Sequence, residues 1–447
     1  MKKALYLLLF FSLAKLEAQT RFEPFQVILE EVAIPEAPAL QSYAWAVEGQ
    51  NYLLIGGLTT GLHDHRPPFS FPIDGRNTQL FVLNIEEGTT ASAPLNTLPP
   101  AIAEQLSSSN MEFIQIGEWL YLFGGYGYDS TRDDWVTHPH MTLVHVPGAI
   151  KAIRNGGDLS PHFRQMEEEA FAVTGGQLGW MEEEFFLIGG QRFDGRYNPM
   201  NGPSYVQKYT DAIRRFRIVE AEGKLAVADY VETVDSLQLH RRDYNLIPQV
   251  FPDGAFGYTA FAGVFRPETD LPWLHSVDVS PQGYFAHPGF QQLFNQYHTA
   301  NLAVYDRANR TMHSLFFGGI GLYFIGEEGD VLIDSLVPFV KHISRVTRTA
   351  DGKLMESILE LEMPGFLGAS AEFLSLDGLA ETGPGIIDLN ALPETPALVG
   401  YIFGGIDSSQ PNIFRQPTGS SDATNRVFRV LLHRGAAGGY FEVVAPD

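Results

Sequence analysis

Leu120-Tyr-Leu-Phe-Gly-Gly125 is an apolar, β-prone run that stops on two residues without side chains, and the chain repeats its pattern five more times. The other copies are Tyr52-Leu-Leu-Ile-Gly-Gly57, Phe185-Phe-Leu-Ile-Gly-Gly190, Tyr258-Thr-Ala-Phe-Ala-Gly263, Ser314-Leu-Phe-Phe-Gly-Gly319 and Gly400-Tyr-Ile-Phe-Gly-Gly405. Each reads as a fully buried strand closed by backbone that needs no Cβ. A repeat of this kind cannot bury its apolar faces alone, so neighbours must stack. Radial stacking of four-stranded sheets gives a propeller. Ala262-Gly263 is the one copy that departs from Gly-Gly.

Inner strands precede the runs at Tyr43, Glu112, Ala170, Asn245, Asn301 and Glu372, and third strands follow at Gln79, Met141, Ala212, Leu274, Val340 and Arg426. Gly88, Gly223, Gly283, Gly352 and Gly435 mark the turns into outer strands. The expected fold is therefore all-β, a six-bladed propeller with four antiparallel strands per blade and almost no helix. Blades are expected near 40–98, 108–160, 168–236, 243–294, 299–362 and 370–447, within one domain over 20–447. A closed ring must pair its ends. Residues 22–34 are expected to supply the closing strand, and both Phe25-Gln-Val-Ile-Leu29 and Tyr440-Phe-Glu-Val-Val444 to dock on the sixth blade. Which of them is outermost stays open. Pro248 inside an inner strand points to an edge or a bulge there.

The double glycine closing each second strand resembles the kelch repeat, and the resemblance covers nearly the whole chain after residue 20. It implies a kelch-type propeller of the galactose oxidase superfamily, of the bacterial secreted type. At about 71 residues per copy, against roughly 50 for a typical kelch repeat, the excess belongs in loops. The motif specifies a fold rather than an activity, since kelch propellers include sugar-handling enzymes and pure binding modules. The galactose oxidase chemistry itself needs a cysteine crosslinked to a copper-ligating tyrosine. This chain has no cysteine, which excludes it.

Lys2 and Lys3 ahead of the apolar run from Ala4 to Ala14, with Leu16-Glu17-Ala18 before Gln19, match a secretory signal peptide over residues 1–18. The run is shorter than the roughly 20 residues that span a membrane, so no membrane insertion is expected. The mature chain is expected in the periplasm or outside the cell, as a monomer. Removing residues 1–18 takes the formal charge from −23 to −25, which repels phosphate backbones and excludes nucleic acid as a partner. No Gly-x-Ser-x-Gly elbow, P-loop or His-Glu-x-x-His occurs.

The resemblance implies that function collects on the face where loops leave the second strands and lead into the inner strands, around the channel mouth. His240-Arg241-Arg242-Asp243-Tyr244 places two guanidiniums beside an imidazole and a carboxylate, a fork suited to an anionic ligand. Ligand-binding candidates are Arg241, Arg242, Asp243 and Tyr244, together with Arg192, Tyr197 and Asn198 of the third loop and Trp135. Rings stacking on pyranose faces beside planar polar groups suit a sugar. The pairs His63/His65 and His138/His140 are candidate transition-metal ligands, although no cofactor is assigned. The fifth loop, from Gly321 to Asp330, carries apolar residues and suggests a flap over the channel or a partner contact.

Two functions fit. One is a binding or scaffold module for a glycan or protein partner of the cell envelope or the exterior. The other is a sugar-active enzyme similar to the kelch mutarotases and epimerases that act on sialic acid. Ring opening needs a general acid and base with an arginine for the carboxylate, and His240, Arg242, His298 and Glu168 are the candidates. A pocket at the mouth shared by an arginine and His298 favours the enzyme; a plugged mouth favours binding.

Overall fold

The computed structural model describes residues 17–18, 24–64, 70–198, 204–413, 419–435 and 440–442. Each glycine-terminated run forms the second strand of four antiparallel strands, and six such blades stand in a ring; in blade five the inner strand also pairs in parallel with Ile386–Asp388. Blade one holds Ala44–Glu48, Asn51–Ile55, Gln79–Asn84 and Thr89–Pro94. Blade two holds Glu112–Ile116, Trp119–Phe123, His140–His145 and Phe163–Glu167, and blade three Gln177–Met181, Glu184–Ile188, Ala212–Ala221 and Lys224–Val234. Blade four holds Asn245–Val250, Phe256–Phe261, Val277–Ser280 and Gly283–Ala286, and blade five Asn301–Asp306, Thr311–Ile320, Phe339–Arg348 and Leu354–Glu362. In blade six, Glu372–Ser375, Ala397–Phe403 and Val427–Arg434 are completed by the N-terminal strand Phe25–Val32.

That last pairing closes the ring, running from Phe25 opposite Arg434 to Val32 opposite Val427. Phe25 and Val27 sink into the seam between blades five and six beside Val430 and Leu432. The C-terminal strand Tyr440–Glu442 does not share the sixth blade. It pairs with Ser357–Leu359 on the outside of blade five, where the two-residue strand Glu17–Ala18 adds to it. One sheet has only one free outer edge, and the N-terminal strand already occupies that of blade six. The rest of the expected signal segment, like residues 443–447, lies outside the described residues.

Six apolar seams hold the ring, one between each pair of neighbouring blades. Between blades two and three the packing is aromatic: Phe123 meets Phe171 edge-on at 4.8 Å and Phe185 stacks on Phe216 at 5.6 Å. Pro248 lies on an innermost strand, which is a sheet edge toward the channel, so the missing donor breaks no ladder there. The period-two reading of blade two passes over a helix, Val146–Asn155, which buries Val146, Ala149, Ile150 and Ile153 in the first seam and stops on left-handed Gly156.

The glycine pairs have a specific task. In each copy the second glycine donates its N–H to a carbonyl just ahead of the next blade's inner strand: Gly57 to Ser108, Gly125 to Val173, Gly190 to Arg241, Gly263 to Gln296, Gly319 to Leu367 and Gly405 to Leu40, all at 2.7 to 3.0 Å. Both members of each pair sit at positive φ. At Gly124 a Cβ would also stand 2.0 Å from the Val173 carbonyl oxygen. Ala262 adopts the same left-handed conformation at φ 50°, so the departure in sequence is not one in backbone.

Candidate functional site

Nearer the axis runs a second circle of peptide bonds. Ser42 donates to Ser370, Ser370 to His298, His298 to Asp243, Asp243 to Gly175, Gly175 to Asn110 and Asn110 back to Ser42, at 2.7 to 3.4 Å. Five of these six residues, all but His298, lie at positive φ, where Gly, Asn and Asp are favoured. The circle cinches the channel. What remains at its centre is a cavity of about 30 Å³ bordered by Ser42, Asn110, Asp243, His298 and Glu372, room for a water or two.

The axial side chains are mutually engaged. His298 Nε2 lies 3.4 Å from Glu372 Oε1. Burial drives the Glu372 carboxyl up to about 8 and the His298 imidazole down to about 4. Arg242 forms an ion pair with Asp243 and donates from Nε to Tyr209 Oη at 3.0 Å. Burial opposes its charge, but Asp243 and the surrounding tyrosine hydroxyls hold its pKa above the ordinary arginine value. His240 stacks on Tyr209 at 3.8 Å and reaches Asp211 through Nδ1 at 2.7 Å.

Other candidates brace the fold. Arg241, 2% exposed, donates to the carbonyls of Gln238 and His275 at 2.7 and 2.9 Å and lies 5.0 Å from the Trp273 ring. Burial lowers its pKa to about 9. Tyr244 is fully buried and donates to the Ile188 carbonyl at 2.8 Å. Arg192 pairs with Asp194 and Glu169. Glu168 caps the short 3-10 turn Glu169–Phe171 through the Ala170 N–H, away from the circle at the axis. The structure thus groups Arg242, Asp243, His240 and His298 around the mouth and leaves Arg241 and Glu168 out.

The open site lies off the axis. Long second-to-third connections rise as a crown: the hairpins Tyr126–Asp129 with Asp134–Thr137 in blade two and Gln191–Gly195 with Tyr205–Tyr209 in blade three pack on each other. Thr137 ties them by donating to the Phe193 carbonyl and accepting the Phe193 N–H, both at 2.7 Å, and Tyr126 donates to the Gly195 carbonyl at 2.7 Å. Against them lies the blade-one connection. Between the three is a cleft of about 600 Å³, lined by Thr60, Ser70 to Gly75, Tyr126, Trp135, Arg196 and Tyr197. Its wall is an aromatic cluster: Tyr126 stacks on Trp135 at 5.3 Å and Phe71 meets Tyr126 edge-on at 5.1 Å. Two of the candidates read from the sequence, Trp135 and Tyr197, line this cleft, Trp135 at only 2% exposure. The Asn198 side-chain oxygen, next in the chain, is buried without a hydrogen-bond partner.

The histidine pairs do not converge. His63 stacks on Phe71 at 4.9 Å and meets Tyr197 edge-on at 4.8 Å, as part of the aromatic cluster. His138 is buried, its pKa lowered to about 4 by desolvation, with the His140 ring 5.9 Å away. His65 lies outside the described residues. Among the described residues no three His, Asp or Glu side chains are grouped to hold a metal ion. The fifth loop folds as the hairpin Tyr323–Ile325 with Val331–Ile333 over Leu293, Phe294 and Ile358, covering the junction of blades four and five rather than the channel.

Sequence reasoning missed Glu372, Tyr209, Asp211, Tyr126, Phe71, Asp74 and Arg196. One signal was present: with the six copies aligned on the residue that joins the axial circle, Glu112 and Glu372 fall at the same position. Both carboxyls are buried and raised.

No protein-family model matches the chain, and no curated protein matches it in sequence. Among solved structures it is similar to one described as "Structure of YjhT", at 12% identity and a TM-score of 0.50, over 89% of this chain and 99% of that one. At that identity the likeness bears on fold alone, and together with the six sheets it shows the chain to be a six-bladed β-propeller.

Proposed function

We propose that this protein is a kelch-type propeller, exported from the cell, that binds a glycan through the off-axis cleft over blades one, two and three. The cleft carries the reading: a space of about 600 Å³ where Phe71, Tyr126, Trp135 and Tyr197 meet Thr60, Ser70, Asp74 and Arg196. Ligand sites are concave, mostly apolar and aromatic, with a few polar groups that set orientation, and this volume falls within their usual range. The cinched channel speaks for binding over catalysis on the axis, since about 30 Å³ admits no sugar ring. Screening the protein on a glycan array, then titrating the best ligand into wild type and Tyr197→Ala, tests the reading. A tenfold or greater loss in the variant with an unchanged fold is expected. Absence of any bound glycan, or full affinity in Tyr197→Ala, would overturn it. Export predicts a mature chain that begins after Ala18, readable as an intact mass from the secreted fraction.

One observation favours a second reading, a sugar-active enzyme. The Tyr209 hydroxyl accepts from Arg242 Nε at 3.0 Å and from the Phe265 N–H at 3.2 Å, beside the His240 and Asp211 pair. A phenol held by a cation next to an imidazole suits proton transfer. Anomer exchange measured by NMR on free sugars, with Tyr209→Phe as control, separates the two.

A further inference from the structure

The cleft's charges narrow its ligand. In this strongly acidic chain at least thirteen arginines among the described residues form ion pairs with a carboxylate within 4 Å, whereas Arg76, Arg196, Arg241, Arg266 and Arg310 form none with the described residues. Of these five, Arg196 is the one on the lining of the cleft. It is exposed there and no carboxylate of the described residues lies in ion-pair range. Arg76, at the end of the same blade-one segment, likewise has no ion pair with the described residues. It donates from Nε to the Ile73 carbonyl at 3.0 Å and lies 5.2 Å from the Tyr128 ring. The Tyr128 ring lies 6.2 Å from the Trp135 ring and its hydroxyl donates to Asp133, so Arg76 stands one ring behind the aromatic wall with a carboxylate close by.

On a surface with this excess of negative charge, a guanidinium without an ion pair on the lining of a cavity draws anions there while the rest of the surface repels them. Guanidinium is also the side chain whose planar fork matches carboxylate and sulfate oxygens. Asp74 lines the same cleft without an ion-pair partner among the described residues, and a carboxylate there accepts sugar hydroxyls while disfavouring a second acidic group beside it. We infer that the cleft takes an acidic oligosaccharide, one whose carboxylate or sulfate meets Arg196, with Arg76 adding positive charge from behind the cleft, while its sugar faces lie on the aromatic wall. This rests on the glycan reading above and goes beyond it by naming the ligand's charge.

Calorimetric titration with oligogalacturonate, a sulfated galactan oligosaccharide and neutral galacto-oligosaccharide of equal length tests it, on wild type, Arg196→Gln, Arg196→Lys and Arg76→Gln, each checked by its melting temperature. The expected result is tenfold or greater preference for at least one acidic probe, weakened by salt. That preference should fall at least tenfold in Arg196→Gln and less in Arg196→Lys and Arg76→Gln. Preference for oligogalacturonate identifies a carboxylate as the ligand group, and preference for the sulfated probe a sulfate. Equal affinity for the neutral probe, or an acidic preference that survives Arg196→Gln, overturns this inference and leaves the glycan reading standing. Binding of none of the three at millimolar concentration overturns the inference, while the array decides the wider reading separately.

Discussion

The axis and the cleft are built from the same connections, those between second and third strands and between successive blades, and they have opposite characters. On the axis every strand end is tied by backbone hydrogen bonds to the next blade, and the side chains left there are paired with each other. In the crown, the residues that line the cleft stand outside the circle. They build a wall of rings, and Asp74 and Arg196 beside it form no ion pair among the described residues. Residues that hold the propeller shut are unsuited to receiving a ligand, and those that can receive one contribute little to holding it shut.

That contrast is open to measurement. The largest effect is expected at the closing strand: Phe25 is fully buried, and Phe25→Ala should cost about 3 to 5 kcal/mol in denaturant unfolding. Deletion of residues 20–34 should go further, exposing the edge of blade six and causing aggregation visible by light scattering. A truncated chain that stays monomeric with an unchanged melting temperature would break the picture of a ring closed from the N-terminus. Next comes the latch. Gly124→Ala sets a Cβ against the Val173 carbonyl in a left-handed residue and should cost about 3 kcal/mol. Ala262→Gly, at the equivalent place in blade four, should change stability by about 1 kcal/mol or less. Equal effects at both sites would deny the glycine pairs their task.

The axial pair makes a smaller, pH-dependent prediction. A carboxyl raised on folding, as Glu372 is to about 8, stabilises fully below its unfolded value near 4.5 and loses that share as pH rises to 8. A depressed imidazole, as His298 is at about 4, stabilises above 6.5 and loses its share as pH falls toward 4. Between pH 6.5 and 8 only the carboxyl changes. Over that window Glu372→Gln should gain on wild type by about 1 to 2 kcal/mol, followed by unfolding at fixed temperature. A constant gap across the window would mean that the carboxyl is ionised in the folded protein. The smallest effect belongs to the crown: Arg196→Gln should leave stability within about 0.5 kcal/mol, whatever it does to a ligand. A larger loss would make Arg196 part of the scaffold and weaken the contrast.

The fold was legible because the repeat carries its own geometry. A glycine pair after a β-prone run marks both a left-handed turn and a close approach of backbone, and six copies leave few architectures. The helix at Val146–Asn155 was legible too, through its apolar residues at 146, 149, 150 and 153 and the glycine at 156, but period two dominates its surroundings. The site was less so. Trp135 and Tyr197 stood out by type, whereas Phe71, Asp74 and Arg196 are ordinary loop residues whose meeting depends on how three crown segments lean together. Arg241 and Arg242 show the limit best. Adjacent side chains with the same chemistry leave the backbone in different directions, one into blade four and one toward Tyr209.

The two circles of hydrogen bonds also mean that the chain's beginning and end are incidental. Each blade is held to the next by the same pair of peptide contacts, including across the junction where the last blade meets the first. The Gly435 N–H already bonds the Pro24 carbonyl at 3.2 Å, so the described ends of the ring lie side by side. A gene in which these ends are joined and the chain is opened instead at an exposed hairpin on the opposite face, such as the turn at Gly117, should encode the same propeller. The circle has no privileged starting point, and the crown above it can lengthen, shorten or change sequence without the ring having to be rebuilt.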